Sequence, residues 1–204
     1  MDTIKAEYNS AEALVRCPWC LGDEEYKRYH DEEWGVPLYD SAALFEFLLL
    51  EGAQAGLSWL TILKRRPAYR KAFGTGDTGL LSAEKIARLG TGDIERLMQD
   101  TSIIRNRRKI AAFIGNSRAY LAMEEAGHSF SSWLWGAVGG APIIGRHQTT
   151  KTIPVSTPLS QLISRELRAK GFSFAGPVSI YAFMQAVGMV NDHLTTCFRY
   201  AELS

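Results

Sequence analysis

"L44-F-E-F-L-L-L-E-G-A-Q-A-G-L-S-W59" is the stretch on which the reading of the fold turns. Leu44, Phe47, Leu48 and Glu51 stand at i, i+3, i+4 and i+7, which is one face of a 3.6-residue helix. The run is apolar enough to belong in an interior. A second acid, Glu46, points off that face and is expected to reach solvent. Glu51 is then a carboxylate in line with a core, placed where the run gives way to glycines and a tryptophan. Burying a charge is costly unless something compensates it, so this glutamate needs a reason.

Outward from this stretch the signals stay helical. The spacing predicts helices over 23–34, 41–52, 82–89, 92–100, 105–125, 158–170 and 177–188. Another starts near Ser58, stops before Pro67 and restarts there. Strand alternation is nearly absent. "T152-I-P-V155" is the one candidate, and it holds a proline. Residues 145–157 read as a loop, and residues 1–13 as a loosely held extension. The expected fold class is all-α, built from helix pairs, with residues 14–204 forming a single domain whose length suits one core or two small lobes sharing one.

The chain has 204 residues, 46% hydrophobic and 22% charged, ordinary proportions for a globular protein. Its longest uncharged apolar run is far too short to span a bilayer, and no basic start followed by an apolar stretch marks a secretory signal. No membrane association is expected. Three cysteines give no even disulfide framework and suit a reducing cytoplasm. A net charge of +1 does not announce a nucleic-acid binder. The charge is uneven, however, with compact basic clusters in "K64-R-R-P-A-Y-R-K71", "R105-N-R-R-K109" and "R165-E-L-R-A-K170". Each also reads as a solvated helix face.

Cys17 and His30 lie near one end of the chain, and "H193-L-T-T-C197" near the other. His193 and Cys197 are four apart, so one helical turn would aim both at the same point. Two cysteines and two histidines make a closed tetrahedral zinc set. The alternative is a pair of core cysteines and two unrelated histidines. "C17-P-W-C20" also invites a redox reading, but that needs a preceding strand and a βαβ context, and neither is present.

Six segments share their order with a known family: "R16-C-P-W19", "Y29-H-D-E-E-W-G-V36", "L50-E-G-A-Q-A-G-L-S-W59", "I103-I-R-N-R-R-K109", "G171-F-S-F-A-G176" and "Y181-A-F-M-Q-A-V-G-M-V-N-D-H193". Together they resemble the 3-methyladenine DNA glycosylase I family over roughly residues 16–200. The resemblance implies a helix-hairpin-helix glycosylase architecture with a structural Zn2+ held by Cys17, His30, His193 and Cys197. Cys20 has no counterpart in the pattern. The resemblance also implies that the protein flips 3-methyladenine out of double-stranded DNA, hydrolyses its glycosidic bond and releases the free base. Glu51 would be the catalytic carboxylate, and Trp19, Tyr26, Tyr29 and Trp59 would line the base pocket around it. Tyr26 and Tyr29 are one helical step apart, with His30 on the adjoining side.

This implied function gives Glu51 its reason. A 3-methyladenine nucleotide is cationic, and both aromatic faces and a desolvated carboxylate attract it. Its positive base is already a good leaving group. Many glycosylases of the wider superfamily carry a catalytic aspartate where "V190-N-D-H193" has Asn191. Asp192 lies one step along the chain, which redirects its side chain. No lysine takes a nucleophile position. The implied enzyme is therefore a monofunctional hydrolase using water, without a lyase step.

For DNA contact, "Q99-D-T-S-I-I-R-N-R-R-K109" resembles the hairpin, with Ser102 where the turn usually has glycine and with Arg105, Arg107 and Lys109 as phosphate contacts. Gly56 and Leu57 would be the wedge that enters the gap left by the flipped nucleotide. They also read as an ordinary helix C-cap. The protein is expected to act as a monomer in the cytoplasm. The competing reading is a catalytically silent, zinc-stabilised protein that binds alkylation damage.

Overall fold

Asp23 has an extended backbone, and its carboxylate accepts from the Glu25 and Tyr26 amides. This N-cap opens α1 (Glu24–Glu32) in a computed structural model that describes residues 14–204. The expected extension at 1–13 lies outside the described residues. Asp40 caps α2 (Ser41–Gln54) in the same way, and Ser58 caps α3 (Trp59–Leu63). Pro67 sits in the first turn of α4 (Arg66–Phe73), where its missing N–H costs nothing. Then come α5 (Ala83–Ala87), α6 (Thr91–Gln99) and the long α7 (Arg107–Glu125). They are followed by α8 (Phe130–Ala137), β1 (Ile143–Ile144), α9 (Pro158–Ala169), α10 (Pro177–Ala186), β2 (Val190–Asn191) and α11 (Phe198–Glu202). Among the described residues the fold is all-α apart from one two-residue parallel pair, β1 with β2, and a single antiparallel bridge between Thr75 and Leu81.

The helix that opened the sequence reading is central. Nine of its residues, from Leu44 to Ala53, are buried. It lies against α10, α7, α8 and α3, and Phe45 stacks on Tyr120 of α7 at 4.3 Å. A helix enclosed on all sides has no solvent face. Glu46 is therefore not solvated as expected but 2% exposed. Its carboxylate is fully engaged by Arg70 Nε and Nη2 at 3.1 and 2.6 Å and by the Leu81 amide at 2.8 Å.

Other departures are local. α8 escaped the sequence reading because eight residues containing two serines and a glycine show little periodicity. α11 is shorter still. Thr152–Val155 is not a strand. It follows a single 3-10 turn, Thr150–Thr152, while the strands form at Ile143 and Val190. Between α6 and α7 the chain turns without a glycine. Ser102 donates from both N and Oγ to Asp100 Oδ1, at 2.9 and 2.5 Å. Phe174 is the only non-glycine residue with positive φ among the described residues, so Ser102 needs no left-handed backbone. Asn106 Oδ1 then accepts from the Lys109 amide and starts α7.

Candidate functional site

A cavity of about 410 Å³ opens between α1, α2, α3 and α10. Trp19, Tyr26 and Tyr29 form one wall, Glu51 and Trp59 the floor, and Tyr181 and Gln185 of α10 the opposite wall. The aromatic residues hold one another. Trp19 lies 4.8 Å from Tyr26, Tyr29 lies 5.5 Å from Trp59, and Trp59 stacks on Phe47. All five side chains expected to line a pocket are therefore brought together. The indole N–H of Trp59 is buried with no partner among the described residues.

Glu51 differs from Glu46 in every respect that matters chemically. It is 5% exposed, faces the cavity, and has no hydrogen-bond or ion-pair partner among the described residues. Burial alone pushes its pKa up to about 8. Burial also raises the Tyr26 phenol to about 12, with a smaller push from Glu51. Burial thus favours the neutral carboxylic acid here, and a cation set beside it would favour the carboxylate.

Beside this cavity stand Cys17, His30, His193 and Cys197, all buried, with their ligand atoms within 4.8 Å of one another. Cys197 Sγ lies 3.4 Å from His30 Nε2 and 3.6 Å from His193 Nδ1, and Cys17 Sγ lies 3.7 Å from His193 Nδ1. Bonds of about 2.0–2.3 Å to a central tetrahedral ion imply ligand spacings of roughly 3.4–3.8 Å, so the cluster is the right size for a small metal ion. The outer nitrogens are also fixed. His30 Nδ1 faces Asp31 Oδ1 at 2.7 Å, and His193 Nε2 faces the Trp34 carbonyl at 3.1 Å. These partners leave His30 Nε2 and His193 Nδ1 directed inward. Arg16 in turn clasps Asp31. The expected helical turn from His193 to Cys197 does not form. The chain turns back instead, with the Cys197 amide on Leu194 O, and Cys197 becomes the N-cap of α11. Gly35 is required here, because at φ +82° a Cβ would stand 2.9 Å from His193 Nε2.

The family model described as methyladenine glycosylase matches residues 19–200. The chain belongs to the methyladenine glycosylase family. DNA-3-methyladenine glycosylase 1 of Escherichia coli (strain K12) is 48% identical, the match covering 92% of this chain and 97% of that protein. A crystal structure of 3-methyladenine DNA glycosylase I superposes with a TM-score of 0.86 at 48% identity, covering 90% of this chain and 98% of that one. The enzyme from Staphylococcus aureus, whose structure addresses 3-methyladenine recognition, gives 0.84 at 39% identity over 91% and 96%.

Against the family pattern, several residues sit differently from expectation. Lys109 is not a surface phosphate contact. It is 8% exposed, and its Nζ donates to the carbonyls of Ala53 and Ala55 at 2.7 and 2.6 Å. Arg107 is exposed but already paired, fork to fork, with Glu95 at 2.6 Å. Arg105 and Arg108 are exposed and carry no such pairing among the described residues. Gly56 takes φ +80° at the tip after α2, and Leu57 stands 40% exposed beside it. Asn191 turns away from the cavity to donate to Tyr200 O and Ser204 Oγ. Asp192 is buried behind α10, accepting from Tyr181 Oη at 2.6 Å and Gln185 Nε2 at 2.8 Å. Cys20 is buried with its thiol on Cys17 O, outside the ligand cluster.

Sequence reasoning missed Trp34 and the α10 wall. Trp34 lines the cavity and lies 4.5 Å from the His193 ring and 5.0 Å from Trp19, so it joins the cavity to the ligand cluster. Its position four residues after His30 was the available signal. Tyr181 and Gln185, four apart on α10, were likewise a legible pair.

Proposed function

We propose that this family member is a DNA repair hydrolase that extrudes 3-methyladenine from alkylated double-stranded DNA and cleaves its glycosidic bond with water, releasing the free base. The observation that carries this reading is Glu51, a buried carboxylate without a partner, facing an aromatic cavity large enough for a purine. A cation entering that cavity meets π faces and a group that gains a charge in response. Ordinary adenine offers no charge to reward it. Since the methylated base leaves readily, the protein's work is selection, with Glu51 also stabilising the positive sugar as the bond breaks. Among the described residues the cavity lining holds the carboxylate of Glu51 and no lysine, which is the arrangement a hydrolase without a lyase step would use.

The four-residue cluster fits zinc in ligand type and spacing, and its role on this reading is structural. Four protein ligands leave no open position for chemistry. Bound zinc would supply no step of the reaction. Its histidines would steady Trp34 and Trp19 at the cavity wall. The hairpin between α6 and α7 would hold backbone phosphate through amides and Arg105, and Leu57 would fill the gap left by the extruded nucleotide. The enzyme on this reading works as a cytoplasmic monomer on chromosomal DNA.

The deciding experiment is incubation with methylated duplex DNA. The expected result is release of free 3-methyladenine with the sugar–phosphate backbone uncut until alkali is added. Tight binding to methylated duplex with no base released would favour the silent damage-binding protein instead.

A further inference from the structure

Lys109 offers the least explained chemistry outside the cavity. It lies three residues after the Asn106 cap, in the first turn of α7. Its ammonium is buried, no carboxylate pairs with it among the described residues, and burial lowers its pKa. Its two partners are the carbonyls of Ala53 and Ala55, at and just past the C-terminal end of α2. A cation at a helix C-terminus meets the negative end of the helix and its unsatisfied carbonyls. The captured carbonyls lie two and four residues after Glu51, and the second, on Ala55, directly precedes Gly56 and Leu57. Just behind this helix end, Phe174, held at a positive φ of 56°, packs its Cβ so close to Gly52 that an added Cβ there would come within a tight 3.3 Å of it.

We propose that Lys109 is a positioning residue that locks the Gly56–Leu57 loop to the hairpin, so that phosphate docking and insertion of Leu57 occur as one rigid movement. This rests on the glycosylase reading above. Without the ammonium, two carbonyls lose their shared donor and the loop is free to move relative to α7, while the cavity itself keeps its walls. Extrusion therefore suffers, and recognition of a base already in the pocket does not.

The test uses Lys109→Met, which keeps the length of the side chain, alone and combined with Leu57→Ala. Single-turnover release of 3-methyladenine from duplex should fall about tenfold in Lys109→Met. Affinity for free 3-methyladenine, read by tryptophan fluorescence, should stay within about twofold, which also reports a folded pocket. In the Leu57→Ala background the lysine change should add little, because residues that act through one another are not additive. A duplex with 2-aminopurine beside a tetrahydrofuran abasic analogue gives a separate reading. Its fluorescence rise on binding should be smaller for Lys109→Met than for the unaltered protein. Fully additive losses, or loss of free-base binding, would overturn the proposal. So would an unchanged fluorescence rise. If the unaltered protein released no base, the glycosylase reading would fail, and the abasic duplex would still judge Lys109.

Discussion

Two glutamates five residues apart on one helix show how environment assigns a role. Glu46 is buried with Arg70 and an amide satisfying it, and it serves the fold. Glu51 is buried with nothing, and its pKa rises to about 8. Because that value lies above the ordinary carboxylate value of 4.5, the folded protein keeps a proton that the unfolded chain has lost between the two. Stability should therefore fall as pH rises through this window and level off above it, by at most about 5 kcal/mol. Glu51→Gln cannot ionise, so its denaturant midpoint should stay flatter over the same range. Parallel curves for the two proteins would contradict the assigned protonation. The same substitution should weaken excision of 3-methyladenine by about 1–3 kcal/mol, and more at pH 9 than at pH 6, where the native acid is already neutral. Binding of plain adenine should change little. Equal losses for the methylated and plain bases would mean that Glu51 reads only the amino edge.

At the level of elements, the α6–α7 hairpin sorts its basic residues into three kinds. Lys109 is internal, Arg107 is paired with Glu95, and Arg105 and Arg108 are exposed with no such pairing among the described residues, which leaves them for phosphate. Arg105→Ala should weaken binding to damaged and undamaged duplex by a similar factor and reduce the salt slope by about one contact. Arg107→Ala should do so less, because Glu95 already occupies its fork. Titrations over a range of salt concentrations would check both, and a loss confined to lesion-bearing DNA would place the arginine in the pocket instead. The sequence could not make this distinction. A run such as "R105-N-R-R-K109" gives charge, whereas the direction of each side chain depends on where α7 begins and on what lies 50 residues away. Most helices were legible because period and caps are local properties. The β1–β2 pair was not, since two residues carry no alternation and pair only across 47 positions. The cavity's first wall could be read from Tyr26 and Tyr29, but its second, on α10, depended on packing against α2.

Across the whole molecule, the Cys17, His30, His193 and Cys197 cluster closes nearly the full chain on itself. Loop-closure entropy grows with the length enclosed, so a metal held here would remove more freedom from the unfolded chain than a local clip. Cys197→Ser should lower the melting temperature and the zinc content together, while protein that remains folded still releases base. If a chelated but folded enzyme lost its chemical step alone, the ion would have to be given a catalytic part. The cluster also sets an order of events during synthesis. Trp19, Tyr26, Tyr29 and Trp34 leave the ribosome well before His193, which backs Trp34 and follows it by 159 residues, and before Cys197, which completes the cluster. The aromatic wall must wait, unsupported, while those intervening residues are made, so a nascent chain stalled before His193 carries every aromatic of the cavity and still lacks its buttress.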